Sequence, residues 1–378
     1  MKKISLIFLL CEIGSQAIAQ NLVTNSGETI TMTDGVSMTV QGDLLNSGTI
    51  LNEGGLRLSG NWSNDGDYHS VSGTFTLSGA NQIFDPGAST YGNLSINSTG
   101  IAIINDLIIS NSLDLVNGIV SLTPDTKILL LENAIINGGN ENSYIEGALF
   151  ATTSGDFTFP IGTESEYLPV SLSNIQASDS VGVKAYSSPL TASISSGLDA
   201  ISQNRHWEVI GGASFMAESI RLPLSGQNFI DNAEEATIGF TNDLENPLSI
   251  IGTPAIDGSL ESGFISTSAS ILPGYYVLGK ESLVAPPITV INVVTSLQDG
   301  KHDFLRIENI ESYKNNLVEI FDRQGVKIFE MQGYNNTDRV FRGSSNVGSR
   351  GVLQTGSYYY TVKLTESKRE AGFIYVKN

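Results

Sequence analysis

The chain holds one cysteine, three histidines and two tryptophans in 378 residues, and only 20 Lys+Arg stand against 39 Asp+Glu. If Cys11 leaves with a leader, no cysteine remains, which excludes a disulfide framework, a thiolate nucleophile and a cysteine metal site. His69, His206 and His302 fall in no metal-ligand spacing such as H-x-x-x-H. No P-loop, G-x-S-x-G elbow or dinucleotide fingerprint occurs. A net charge of −19 repels phosphates and argues against nucleic acid as a partner. No apolar run reaches the ~18–20 residues that cross a bilayer, so no transmembrane segment is expected in the mature chain. No catalytic, cofactor-binding or metal-ligating residue is assigned, and no cofactor is expected.

What is present begins with an export leader. "MKKISLIFLLCEIGSQAIAQ" has a basic start (Lys2, Lys3), an apolar run over residues 4–10 and Ala17-x-Ala19 as a small-residue cleavage site. Residues 1–19 therefore read as a signal peptide that leaves Gln20 as the new terminus. Cys11 offers a lipoprotein alternative, but Leu10 stands where a small residue is wanted.

Next comes a repeat. Apolar-x-apolar-x-turn pentads start at Met38 ("MTVQG"), Leu56 ("LRLSG"), Phe75 ("FTLSG"), Leu94 ("LSINS") and Leu113 ("LDLVN"), and more loosely at Leu129 ("LLLEN"). The common step is about 19 residues. Each pentad turns two apolar side chains to one face of a short strand, and the Gly or Asn behind it suits a corner. A unit this short cannot bury its own apolar face. Stacked as three-sided coils over residues 20–150, the units bury one another, which gives a β-solenoid with "NSGTI", "NDGDY" and "VNGIV" at corners. The pattern resembles the short parallel β-helices of bacterial surface adhesins of the filamentous haemagglutinin sort. A stack of antiparallel hairpins is the alternative architecture, because "NDG" and "NG" are also hairpin turns.

From about 151 to 281 the period disappears. "GDFTFPIG", "YLPVSLSNI", "SVGVKAYSS", "RHWEVIGG", "SIRLPLSG", "EATIGFTN", "LSIIGTPAI" and "GYYVLGK" read as strands of a β-sandwich. That sandwich would cover one open end of the solenoid, whose unpaired edge otherwise invites aggregation. Residues 282–290, with Pro286 and Pro287, read as a stiff linker.

The last stretch, 291–378, differs in charge: 12 Lys+Arg against 10 Asp+Glu, where residues 1–290 carry 8 against 29. "NNLVEIFDRQGVKIFEM" reads as two strands joined at residues 322–325, and "GSYYYTVKL" and "GFIYVKN" supply two more. Five elements stand in order: Asp299-Gly300 with Asp303-Phe304, the "IENIESYKNNLVEIFDRQGVKIFE" hairpin, the "GYNN" turn, "TGSYYYTVKL" and the terminal "GFIYVKN". Together they resemble the gliding-motility-associated C-terminal domain, the type B sorting domain of type IX secretion cargo in Bacteroidetes. "SLQDGKHDF" and "FRGSSN" replace that family's Pro-Asn-Gly-Asp-Gly and Trp-Asp-Gly, and Gln324 stands where Trp is common. The resemblance implies a small Ig-like β-sandwich read by the export machinery at the outer membrane, with an extracellular or cell-surface destination after a periplasmic stage.

Several residues can also be read as sites. Arg57, Asp65, Asp67 and His69, around "LRLSGNWSNDGDYH", could serve a polysaccharide lyase or hydrolase on a solenoid face; a polar corner is the plainer reading. "NRHWEV" (204–209) could stack on a sugar, although a core Trp207 with outward-facing neighbours fits a strand better. Neither "NDGDY" nor "QDGKHD" matches a calcium loop, and acidity reads as a solvated surface. "DSV" at Asp179 resembles an O-glycosylation acceptor or a loop-to-strand junction. The expected whole is an all-β secreted protein whose cargo region binds glycan or matrix without chemistry of its own.

Overall fold

The computed structural model describes residues 16–19, 22–195, 197–227, 229–282, 287–295, 300–313, 315–348, 351–365 and 368–378. Lys2, Lys3, the apolar run 4–10, Cys11, Gln20, Pro286 and Asp299 lie outside the described residues. Gln16–Ala19, which carry the expected cleavage site, pair in parallel with Ser37–Val40. The chain forms two compact units that divide between Ser282 and Leu283. Among the described residues the only helical turns are two short 3-10 turns, Ala233–Glu235 and Ile310–Ser312.

The first unit begins as a three-faced parallel solenoid. One face stacks Ser37–Val40, Gly55–Leu58 and Thr74–Leu77, then residues 93–96, 112–115 and Ile135–Gly138. A second stacks Leu22–Asn25, Asp43–Asn46, Trp62–Asn64, Gln82–Asp85, Ile101–Ile103, Val120–Leu122, Ile145–Glu146 and Ile161–Thr163. Thr29–Met32, Thr49–Asn52 and Asp67–His69 begin the third, and residues 107–109, Lys127–Leu130 and Ala148–Ala151 carry it on. Register follows the pentads: Met38 lies beside Leu56, Leu56 beside Phe75, Phe75 beside Leu94, and Leu94 beside Leu113. The sixth pentad departs from this column. Leu113 stands beside Ile136, while Leu129 pairs with Ile108 on the third face. Two turns lengthen that coil: Thr126 N donates to Thr123 O with Asp125 at φ 67°, and Ala134 N donates to Leu131 O with Asn133 at φ 66°.

Parallel in-register stacking sets like residue on like, and the corner after the second face uses this for a polar column. Asn25, Asn46 and Asn64 point inward and are 4%, 1% and 3% exposed. Asn25 Nδ2 donates to Asn46 Oδ1 at 2.8 Å, and Asn46 Nδ2 to Asn64 Oδ1 at 2.8 Å. Asn64 Nδ2 closes the ladder on Pro86 O and Ser89 Oγ, both at 3.0 Å. Asn46 and Asn64 thus have partners above and below, and Asn25 completes its bonding on the backbone of Glu28, which removes the penalty of burying these amides. The glycines two residues on leave room for this close stacking; a Cβ on Gly66 would land on the carbonyl oxygen of Gly48.

Beside the ladder, Trp62, Tyr68, Phe75, Phe84 and Tyr91 fill the interior, all at most 1% exposed. Tyr68 stacks on Tyr91 with ring centres 4.7 Å apart, and Trp62 meets Phe75 edge-on at 5.2 Å. Trp62 Nε1 donates to Tyr91 Oη at 2.7 Å, and Tyr91 Oη donates to Pro86 O at 3.0 Å. Burial pushes the Tyr68 phenol up to about 12, so it stays a neutral packing group.

The last edge of the third face is paired. Ala148–Ala151 bonds in parallel to Lys127–Leu130 on one side and antiparallel to Val181–Tyr186 on the other. The sheet continues through His206–Ile210, Gly274–Glu281, Ala236–Thr241 and Ser249–Ile250. It faces a second sheet ordered Gly155–Phe159, Val170–Ile175, Ala217–Pro223, Phe264–Ile271 and Thr253–Asp257, and a single apolar core runs from the solenoid into this sandwich. Pro160 splits "GDFTFPIG" between two sheets, since proline lacks a ladder donor. Gly252, at φ 56°, does the same to "LSIIGTPAI". Phe264–Ile271 is a strand that the sequence reading lacked, although Ile265, Thr267 and Ile271 alternate inward.

The second unit carries a five-stranded sheet ordered Val293–Thr295, Arg369–Lys377, Gly356–Lys363, Leu317–Phe321 and Lys327–Gln332. Two small ladders, Thr289–Val290 with Ile307–Glu308 and Ser344–Ser345 with Gly351–Val352, complete it. Its core joins Val318, Ile320, Val362, Ile374 and Val376 of the sheet to Ile307, Ile310 and Phe341.

Replacing Asn46 by Ala takes the acceptor from one N–H of the Asn25 amide, whose other bond to Glu28 O remains, and strands the Oδ1 of Asn64. At about 1–3 kcal/mol per buried unpaired group, the first unit should lose roughly 2–5 kcal/mol in denaturant unfolding, whereas Asn105→Ala, at an exposed amide, should cost under about 0.5 kcal/mol. Equal small shifts for both would remove the ladder's role.

Candidate functional site

The solenoid candidates do not converge. Arg57 is exposed on the first face, while Asp67 and His69 are exposed on the third and Asp65 sits in the turn before it. Asp65 N donates to Asn46 O and Asp67 N to Gly48 O, so this corner stacks directly on the one before it. Among the described residues, no three His, Cys, Asp or Glu side chains are grouped to hold a metal ion. Asp179 lies in an exposed bend, and the half-buried Ser180 leads from it into Val181–Tyr186.

Around "NRHWEV", Trp207 is the core residue expected, fully buried, with Nε1 donating to Leu168 O at 3.2 Å. Its neighbours do not both turn outward: Arg205 and His206 are 0% and 6% exposed. Arg205 precedes the strand, and its guanidinium bonds Glu166 Oε1 at 2.6 Å, Pro223 O at 3.2 Å and Ser225 O. Burial lowers the Arg205 pKa and Glu166 opposes that fall, so Arg205 pins the 223–225 turn as a structural cation. His206 stacks on Tyr186 at 4.6 Å and hydrogen-bonds Ser188 O through Nδ1 at 2.8 Å. Tyr186 Oη donates to Glu208 Oε2 at 2.5 Å. Burial holds the His206 imidazole below its usual range. These side chains bind one another rather than leave a vacancy for a sugar.

In the second unit the hairpin forms as read. Leu317–Phe321 and Lys327–Gln332 pair antiparallel, Asp322 Oδ1 accepts from Gln324 N and Val326 N at 2.9 Å, and Gly325 takes φ 81°. The "GYNN" turn is bolted inward. Tyr334 Oη donates to Leu305 O at 2.5 Å and accepts from Phe341 N at 2.9 Å. Asn316 bonds both Tyr334 N and Tyr334 O, and Asn336 bonds both Ile307 N and Ile307 O. Desolvation pushes the Tyr334 phenol well above its ordinary range.

One face of the five-stranded sheet is left uncovered within this unit. Residues 369, 371, 373, 375 and 377 of the last strand are exposed, and Ile374 and Val376 alternate with them into the core. Tyr359 pairs across the sheet with Phe321 on one side and Phe373 on the other, and Tyr375 pairs with Val293. Tyr359, Phe373 and Tyr375 are 52%, 57% and 43% exposed. The same period-2 pattern in "GSYYYTVKL" and "GFIYVKN" carries this outward set; reading the tyrosines only as packing residues passes over it.

Residues 288–376 match the CHU_C Type IX secretion signal domain. No curated protein and no solved structure matches the chain. The C-terminal unit is thus a type IX secretion signal domain, which implies contact with the secretion machinery and export to the cell surface or beyond. No helix of the described residues is long and apolar enough to cross a membrane.

The buried imidazole gives the first unit a pH dependence. An unfolded His titrates near 6.5, and His206 in the fold resists the proton, so its contribution is intact above about 6.5 and declines as pH falls from there toward the lower folded value. Unfolding midpoints measured from pH 7.5 to 5 should therefore fall less steeply for His206→Phe, which keeps the ring on Tyr186, than for the natural chain. Parallel curves would show that the imidazole does not titrate in this way.

Proposed function

We propose that this is a secreted cargo protein whose solenoid and sandwich form a rigid adhesive or structural body, binding a repeating extracellular polymer such as glycan or matrix without cleaving it. A signal peptide brings the chain to the periplasm, and the C-terminal domain carries it onward.

One observation supports the binding role. Parallel register lines up Thr39, Arg57, Thr76, Ser95, Asp114 and Asn137 as a single outward column on the first face. Successive members sit about 4.8 Å apart, the strand spacing of any sheet. A periodic row of hydroxyl, amide and charged groups suits weak contacts repeated along a periodic polymer, where linked sites gain by multivalency. The enzymatic reading needs acidic and basic groups in one place, and Arg57 and Asp67 stand on different faces.

The purified chain should co-sediment with an insoluble polysaccharide or matrix polymer while leaving reducing ends and unsaturated sugars unchanged. Arg57→Ser together with Asp114→Ala should weaken retention several-fold. Release of new ends that stops in Asp65→Asn/Asp67→Asn would contradict this function and make the protein an enzyme.

A further inference from the structure

The uncovered sheet face of the C-terminal unit combines aromatic area with an unbalanced charge. Val293, Tyr375, Phe373, Tyr359 and Phe321 run across four neighbouring strands. Phe321, Tyr359 and Phe373 border one shallow groove walled by the Asp322–Gly325 turn, where Arg323 also stands. Solvating three aromatic rings at 43–57% exposure is costly, and side chains of this size return about 1.5–3 kcal/mol each when fully buried. Uncovered aromatic patches of this kind mark contact surfaces.

Charge narrows the partner. Lys377 and Arg369 share the outward side of the last strand with Phe373 and Tyr375, and Lys363 lies across from Arg369. The carboxylates on this face are Glu319 and Glu330, both bonded by Lys327, and Asp322 in the turn beside Arg323. With Arg323, five basic groups thus stand against three acidic ones, two of which share Lys327. An anionic lipid surface would suit the basic groups but would meet Glu319 and Glu330 in the middle of the face, whereas a shaped protein surface can avoid them and fill the groove.

We infer that this face is the surface by which the export machinery grips the cargo, and that its partner is an apolar protein patch ringed by carboxylates. The inference rests on reading the C-terminal unit as an export signal, and names the part of it that is read. Aromatic anchors supply affinity once desolvated, and the basic rim speeds and orients encounter.

The test uses the full chain in a host with a working type IX system, scoring the fraction that reaches the surface and medium. Tyr359→Thr/Phe373→Thr should lower export at least tenfold, and Arg369→Glu/Lys377→Glu several-fold, with unfolding midpoints unchanged. Val352→Thr removes an apolar side chain that is 72% exposed on a separate ladder and should export normally. A chain ending at Pro287 tests the underlying reading. If that truncation stays inside while both face variants leave at the natural rate, the face is not the grip, although the signal reading stands. If the truncated chain leaves freely, both ideas fall. Two other results would also overturn the inference: loss of self-association in the face variants at unchanged export, which gives the face to a second copy, and loss of binding to phosphatidylglycerol vesicles at unchanged export, which gives it to lipid.

Discussion

Inter-coil backbone pairing in parallel register is the constraint from which the first unit follows. A coil of about 19 residues has too little area to bury its apolar side chains alone, so each must be covered by the coil above and the coil below. Parallel pairing then fixes what covers what. Leu56 meets Met38 and Phe75, Asn46 meets Asn25 and Asn64, and any position that breaks the match affects both neighbours. The same rule sets the outer surface, where polar side chains fall into columns whether or not packing requires them. It also creates the open edge that the antiparallel strand Val181–Tyr186 covers at the sandwich end.

How much of this was legible depends on whether the signal was local. The four-step register from Met38 to Leu113 can be read to the residue, because apolar alternation and a nearly constant step are both properties of the one-dimensional chain. The fifth step fails at Leu129, where turns at Asp125 and Asn133 lengthen the coil without changing its composition. The asparagine ladder was visible only as corner signals. An Asn before Ser-Gly or Asp-Gly has the same local meaning whether its amide faces water or another amide, and only the stacked partner decides between them. "NRHWEV" shows a related limit. Trp207 is core by alternation, but the burial of Arg205 depends on Glu166 and on the carbonyls of 223 and 225, which are remote in sequence.

The C-terminal unit was legible as an ordered set of elements, and its hairpin, turn and last two strands form as those elements require. Gln324 in the hairpin turn does not disturb it, because Asp322 and Gly325 carry the turn's hydrogen bonding and left-handed geometry. The charge difference along the chain also acquires a physical account. A strongly acidic first unit repels its own copies and stays soluble, while the nearly balanced second unit can offer aromatic and basic groups to a partner.

If the second unit is an address independent of what precedes it, it should export a foreign passenger. The most direct measurement fuses residues 283–378 to a monomeric fluorescent passenger that already reaches the periplasm, and follows its distribution between periplasm, cell surface and medium in a type IX-competent host. The fused passenger should appear outside the cell and the unfused one should not. Retention of a folded, fluorescent fusion in the periplasm would contradict that independence, and would place part of the export information in the solenoid or sandwich.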